Sequence, residues 1–260
     1  MQRMTAEEQW ILKEKWNGEK TEGFFTDCQR LKIGEPVAYI IGFVDFLGVK
    51  VYLDSKPLIP RTETEFWTAK AIEEIAKKHT DVSVSIHVLD LCAGSGAIGL
   101  AVAKKFLNAQ VDFIEIDANH NSTINRSIEI NQLDSSRIHI YNGNLFNALP
   151  ITKKPPLSTY DYILSNPPYI DKKLERTESS VVNFEPHLAL YGGFEGLELI
   201  ERILADTPNY LAPDGELWLE HEPEQSLAIQ TLAEKHKMVT TVHNDQYNIA
   251  RYSVLRMAQY

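Results

Sequence analysis

The chain has 260 residues, 43% of them hydrophobic, enough for one large domain with a sizeable core and a smaller attachment. Its 26 basic and 36 acidic residues leave a formal net charge of −10, which opposes a generic grip on phosphate backbones, so no stable nucleic-acid partner is expected. Two cysteines without a CxxC pair, the absence of a His cluster at ligand spacing, and the lack of any run of 18 apolar residues argue against a metal site and a membrane span, while the start MQRMTAEEQW resembles no leader; a cytoplasmic location is expected.

Thr5 and Glu8 form a capping-box pattern, which predicts a first helix running to about residue 16 along Trp10, Ile11 and Leu12. A second helix is predicted over Glu22–Lys32, ended by Gly34 and Pro36. Apolar residues around Gly48 in GFVDFLGVKVYLD predict a β-hairpin over 41–53, and after the rigid PLIPR segment a helix is predicted from residue 62 or 64 to 79. From Ser85 strands alternate with helices: strands at 85–91, 110–116, 137–142, 160–165, 215–221, 237–243 and 249–256, helices at 97–107, 119–131, 195–209 and 223–236. The last two strands are joined without room for a helix and must pair antiparallel. The expected class is α/β, a Rossmann-like sheet, mostly parallel with one antiparallel strand near the C-terminus. It divides into a helical piece at 1–36, a hairpin linker at 37–60 and the main domain at 61–260. The Pro- and Lys-rich ITKKPPLST at 151–159 reads as a loop.

IHVLDLCAGSGAIGLAVA reads as a hydrophobic strand, a small-residue turn and a helix. Gly94, Gly96 and Gly99 make a GxGxxG pattern, weak alone, that brings backbone and a helix N-terminus close to a ligand. Asp90 ends the strand where ligands bind in such sheets, and Glu115 ends the next strand 21 residues beyond Gly94, positioned to accept both hydroxyl hydrogens of a ribose. These features suit a dinucleotide or S-adenosylmethionine. In GNLF (143–146), Asn144 offers a carbonyl to an adenine amine and Leu145 an apolar surface to the base; the segment reads equally well as a loop tucked onto the core.

The stretch DYILSNPPYI (161–170) ends a buried strand in Asn166, Pro167, Pro168 and Tyr169. Two prolines fix φ twice and remove two amide donors, leaving a stiff edge with free carbonyls. Such an edge suits N-methylation of an amide or exocyclic amine, because the Asn166 side-chain oxygen and the Pro167 carbonyl can accept both N–H groups and orient the nitrogen lone pair, with Tyr169 as an aromatic wall. A hydride-transfer enzyme has no use for this edge, which favours S-adenosylmethionine over a nicotinamide cofactor.

GEPVAYIIG (34–42), PLIPRTETE (57–65), DLCAGSGAIG (90–99), SNPPYI (165–170) and EPHLALYGGFEGL (185–197) together resemble the protein-(glutamine-N5) methyltransferases that act on the GGQ tripeptide of peptide-chain release factors. The resemblance runs from about Gly34 to the C-terminus. It implies a class I methyltransferase fold; S-adenosylmethionine held by Cys92, Ala93, Gly94, Ser95, Gly96, Glu115, Asn144, Leu145 and Asn166; a substrate glutamine held by Asn166, Pro167, Pro168 and Tyr169; and a release factor as protein partner, with a monomer favoured. The segment around 58–65 would lie against the site, with Arg61, Thr64 and Glu65 as further candidates; a salt bridge at the helix start explains Arg61 and Glu65 equally well. The family usually has Pro at Thr62 and Asp at Glu115, Glu195 and Asn144, and a fuller helical domain than the 33 residues preceding Gly34. Residues 171–184 would form a loop over the substrate entrance. NPPY is shared with adenine and guanine N-methyltransferases, and a ribosomal-protein glutamine is a further alternative substrate; for nucleic acid stand only scattered cations such as Lys153, Lys154, Lys172, Lys173 and Arg176.

Overall fold

The computed structural model describes residues 4–150, 153, 159–174 and 178–259; most of the 151–159 loop, Lys154 and Arg176 lie outside them. The capping box at Thr5 forms as expected, with Glu8 N–H donating to the Thr5 hydroxyl at 3.1 Å and Thr5 N–H to the Glu8 carboxylate at 2.9 Å, and it starts α1 (Ala6–Glu14). α2 (Glu22–Lys32) packs on α1 through Ile11, Phe24 and Cys28. Residues 37–41 were expected to be linker and hairpin and instead form a short helix, α3 (Val37–Ile41). Pro36 precedes it and Gly42, at φ 94°, ends it, so one helical turn fits between two strong punctuators.

The hairpin is β1 (Phe43–Phe46) and β2 (Val49–Tyr52), turning at Leu47 and Gly48, both at positive φ. Its outer edge is satisfied by a helix of the main domain: Lys50 and Tyr52 N–H donate to the Asn131 side-chain oxygen at 2.9 Å and the Ser127 hydroxyl at 3.0 Å. α4 (Thr62–Lys78) follows, at the position expected for it.

β3 (Ile86–Leu91), β4 (Ala109–Glu115), β5 (Ile138–Asn142), β6 (Tyr160–Ser165), β7 (Leu211–Glu220), β8 (Met238–Asn244) and β9 (Ala250–Met257) make one sheet in the order β5-β4-β3-β6-β7-β9-β8. The pairs among β3 to β7 are parallel, and β9 runs antiparallel between β7 and β8, as the missing crossover required. β7 begins at Leu211, four residues before its expected start. α5 (Ala97–Lys105) and α6 (Asn119–Ile130) join α4 on one face of the sheet, while α8 (Glu198–Tyr210) and α9 (Ser226–Lys235) cover the other. Alternation along the strands supplies both faces: Val88, Leu164 and Trp218 point to the first, Leu89, Ile163 and Leu217 to the second. Residues 179–184, expected as loop, form a short helix, α7 (Ser179–Phe184), whose Phe184 packs beside Ala38, Tyr39 and Leu53.

The order reverses between β3 and β6, since the chain leaves β3 towards β4 on one side and returns to β6 on the other. A crevice at the C-terminal ends of these two strands is where ligands enter open parallel sheets, and there stand the DLCAGSG turn and the NPPY segment.

Candidate active site

A cavity of about 430 Å³ opens over the end of β3 and is walled by Cys92, Ala93, Gly94 and Ser95, with Glu115 from β4, Asn144 and Leu145 from the loop after β5, and Asn166 and Pro168 from the end of β6. Its size is that of a small-molecule site. Of the expected cofactor residues, Gly96 is set back from this wall and begins α5 at φ 78°. The third glycine of the pattern has a packing reason: a Cβ at Gly99 would lie 2.5 Å from the Phe113 ring, so only glycine brings α5 this close to β4.

Glu115 is buried and receives Gly94 N–H at 2.7 Å on one oxygen and Asp117 N–H at 2.8 Å on the other, which fixes the carboxylate in the cavity wall. Asp90 is fully buried, one oxygen taking Gly99 N–H at 2.8 Å and the other having no partner among the described residues. Burial, and less so the Glu115 charge, push its pKa up to about 8. Asn144 does not stand alone: its side-chain oxygen accepts from Arg202 at 2.9 Å, so α8 helps hold the far end of the cavity. Leu145 and Cys92 adopt positive φ, 50° and 64°, backbone conformations that side chains resist and that collect at sites of function.

His120 also lines this cavity and was not singled out from the sequence. Ser55 N–H donates to the Thr123 hydroxyl at 3.2 Å, Thr123 donates to the Ser55 oxygen at 2.8 Å, and the Ser55 hydroxyl and His120 Nδ1 share a hydrogen bond, also at 2.8 Å. The ring's other nitrogen, Nε2, lies 4.0 Å from Asp117. Its partner Ser55 is 65 residues away in the chain, which is why no local motif marked it.

A second cavity, about 600 Å³, lies beyond the NPPY edge and is lined by Arg61, Pro167, Tyr169, Val181, Leu197 and Gln225 among others. Asn166, Leu58 and Ala189 belong to both walls. The Asn166 side-chain nitrogen donates to the Thr64 hydroxyl at 3.1 Å, Thr64 donates to Glu220 at 2.7 Å, and the Tyr169 hydroxyl reaches the other Glu220 oxygen at 2.9 Å. Tyr169 thus lines the second cavity while its hydroxyl is held by Glu220, and burial followed by the Glu220 charge drives its pKa well above the ordinary tyrosine value. Behind the edge, Gln225 donates to the Tyr169 carbonyl at 2.8 Å and the Glu195 carbonyl at 2.9 Å.

Arg61 bonds to Glu185 at 2.7 Å, and the other Glu185 oxygen accepts Ile59 N–H at 3.0 Å. PLIPR and EPHLAL are therefore clasped to each other, and Arg61 forms no salt bridge within the start of its own helix. Glu65 accepts Leu47 N–H at 2.9 Å and braces the hairpin. Lys153 pairs with buried Asp112 at 2.9 Å, while Lys172 and Lys173 sit over the Tyr191 and Phe194 rings, which engages three of the cations considered as nucleic-acid contacts. Among the described residues, no group of three or more His, Cys, Asp or Glu side chains is arranged to hold a metal ion, and no helix is long and apolar enough to cross a membrane.

The glycine turn, the Glu115 carboxylate in the wall beside it and the cavity volume fit S-adenosylmethionine. Residues 72–184 match the methyltransferase small domain family. A release factor glutamine methyltransferase of Rhodopirellula baltica is 34% identical over 211 residues, 81% of this chain and 69% of that protein. A ribosomal protein uL3 glutamine methyltransferase of Bradyrhizobium diazoefficiens is 32% identical over 195 residues, 73% of this chain and 58% of that protein. Among solved structures, the N-terminal domain of human METTL16 in complex with SAH shares the fold, with a TM-score of 0.56 at 19% identity over 82% of this chain and 77% of that one. The chain belongs to the protein-(glutamine-N5) methyltransferase family, whose methyl donor is S-adenosylmethionine.

Proposed function

We propose that the chain methylates N5 of the glutamine in the GGQ tripeptide of a peptide-chain release factor. The observation that carries this reading is the position of Asn166 in the wall common to both cavities, so that an amide entering from the second cavity meets the NPPY edge beside the first. Cys92, Ala93, Gly94, Ser95, Glu115, Asn144 and Leu145 would hold S-adenosylmethionine, with Gly96 shaping the turn behind them. When bound, it supplies an electrophilic methyl group on a sulfonium. The chain's own residues do the rest by positioning. Asn166 Oδ1 and the Pro167 carbonyl accept the two N–H groups of the substrate amide, which orients the nitrogen lone pair towards the methyl group and stabilises the positive charge that grows on the nitrogen as the methyl is transferred. Pro168 keeps this edge rigid, and the Tyr169 ring bounds the planar amide. The proton is lost after transfer, when the nitrogen is acidic, so no strong base is needed.

In this reading residues 1–36 dock the protein substrate, the hairpin over 37–60 links them to the enzyme proper at 61–260, and α7 connects the two ends, since Val181 lines the second cavity while Phe184 packs beside α3. A glutamine of ribosomal protein uL3 is the second reading, supported by the relative of that name at 32% identity.

The test offers methyl-labelled S-adenosylmethionine with a release factor, the same factor with its GGQ glutamine replaced by alanine, uL3, and RNA or DNA. Label on the intact factor and none on the altered one is the expected result. Label on uL3 alone selects the second reading, and label on nucleic acid alone overturns both.

A further inference from the structure

Glu220 ends β7 with 1% of its surface exposed, and a carboxylate so deeply buried needs donors on both oxygens. It has three. Trp67 Nε1–H and the Thr64 hydroxyl reach Oε2 at 2.6 and 2.7 Å, and the Tyr169 hydroxyl reaches Oε1 at 2.9 Å. These partners come from α4 and from the NPPY edge, 153, 156 and 51 residues away in the chain. The arrangement fixes more than the carboxylate. Thr64 has one hydroxyl proton, and it is spent on Glu220; its oxygen can then only accept from Asn166 at 3.1 Å. The atom of Asn166 facing Thr64 is therefore the amide nitrogen, and the amide oxygen faces the opposite way.

We propose that Glu220 and Thr64 are positioning residues that decide which end of the Asn166 amide faces the substrate. The inference rests on the reading of Asn166 as the acceptor for the substrate amide, and supplies what that reading lacks. An asparagine amide is nearly symmetrical in shape, and a half-turn would present an NH₂ donor where an acceptor is required. The two prolines hold the backbone but have no influence on that rotation. The hydroxyl relay from the buried carboxylate does. Trp67 and Thr64 both donate to one oxygen of the ionised Glu220 carboxylate, which has no proton to give back, and this sets the direction of the relay.

Thr64→Val keeps the side-chain shape and removes the relay, and Thr64→Ser restores the hydroxyl. In ¹⁵N-labelled protein the Asn166 side-chain NH₂ pair is identified as the pair missing from an Asn166→Asp sample. This pair is expected to shift and exchange faster with solvent in Thr64→Val and to return in Thr64→Ser. Should the valine variant not fold, Thr64→Ala reads the same resonances. With a methylatable glutamine protein, kcat should fall about fivefold or more in Thr64→Val, as the competent orientation becomes a minor population, with the KM for S-adenosylmethionine within about threefold and recovery in Thr64→Ser. An unchanged Asn166 pair in the variant lacking the hydroxyl overturns the relay, as does a serine variant that behaves like valine, or a loss of rate matched by an equal loss of cofactor affinity. If the wild-type chain methylates neither a release factor nor uL3, the functional reading fails, while the resonance test still decides the relay.

Discussion

At the scale of single residues, two carboxylates near the ends of neighbouring strands differ in their surroundings. Glu115 is met by two backbone N–H groups, whereas Asp90 has one and an unpartnered oxygen in a fully buried place. With its pKa raised from 3.8 to about 8, Asp90 keeps its proton more readily in the folded than in the unfolded chain. Its contribution to stability is then full at pH below 3.8 and is lost as pH rises towards 8. Asp90→Asn retains the shape and removes the titration, so the variant should gain stability relative to wild type as pH is raised from 5 to 8, read from urea midpoints. A difference independent of pH would refute the shift. Asn144 presents another contrast: its oxygen is occupied by Arg202, and an aspartate there would pair with the guanidinium and still have an oxygen to offer. Asn144→Asp should therefore tighten S-adenosylmethionine binding about two- to tenfold by calorimetry, by the greater strength of a charge-assisted hydrogen bond.

At the scale of elements, the glycines of YGGFEG serve close approach. A Cβ at Gly196 would stand 1.8 Å from the Tyr169 carbonyl oxygen and 2.5 Å from Gln225 Nε2, so the loop after EPHLAL lies directly on the back of the NPPY edge. Gly196→Ala should push that edge out of place, costing roughly 1–3 kcal/mol of stability and most of the activity. Gly18→Ala is the matching control: it also has positive φ, 86°, but open space where the methyl would go, so it should cost only about 1 kcal/mol of strain and leave turnover unaffected. Equal effects of the two variants on turnover would contradict the support role. The elements legible in the sequence are those with long regular patterns. β3, β4, β6 and β7 are rich in apolar residues and buried along most of their length, and α4, α6 and α8 carry apolar faces between clear turn signals. α3 and α7, of 5 and 6 residues, are too short for a helical period to register, and both owe their form to tertiary contacts around Ala38, Tyr39 and Phe184.

At the scale of the whole molecule, the two cavities meet where the strand order reverses, and the front helices reach the second one through α7. Ile11 is fully buried between α1, α2 and α3. Ile11→Ala should destabilise that cluster by about 2–5 kcal/mol. If the front piece docks the substrate, the variant should raise the KM for an intact protein substrate while leaving the KM for a short GGQ peptide unchanged; a parallel rise in both would contradict the docking role. The glycine turn, Glu115 at its strand end and NPPY are local patterns that can be read from the sequence, and the structure brings them to one crevice. The contacts of Glu220, Arg202 and His120 could not be read from the sequence, because each is made only when distant segments meet, and a single acid, base or imidazole at a strand end or on a helix carries no pattern of its own. The most direct measurement is the single-turnover rate of methyl transfer by Asn166→Ala at saturating cofactor and protein substrate. The account predicts a rate lower by about 10²-fold or more, roughly 2–4 kcal/mol for one oriented acceptor, with S-adenosylmethionine affinity nearly unchanged; a rate equal to wild type, or a loss arising wholly from weaker cofactor binding, would contradict it.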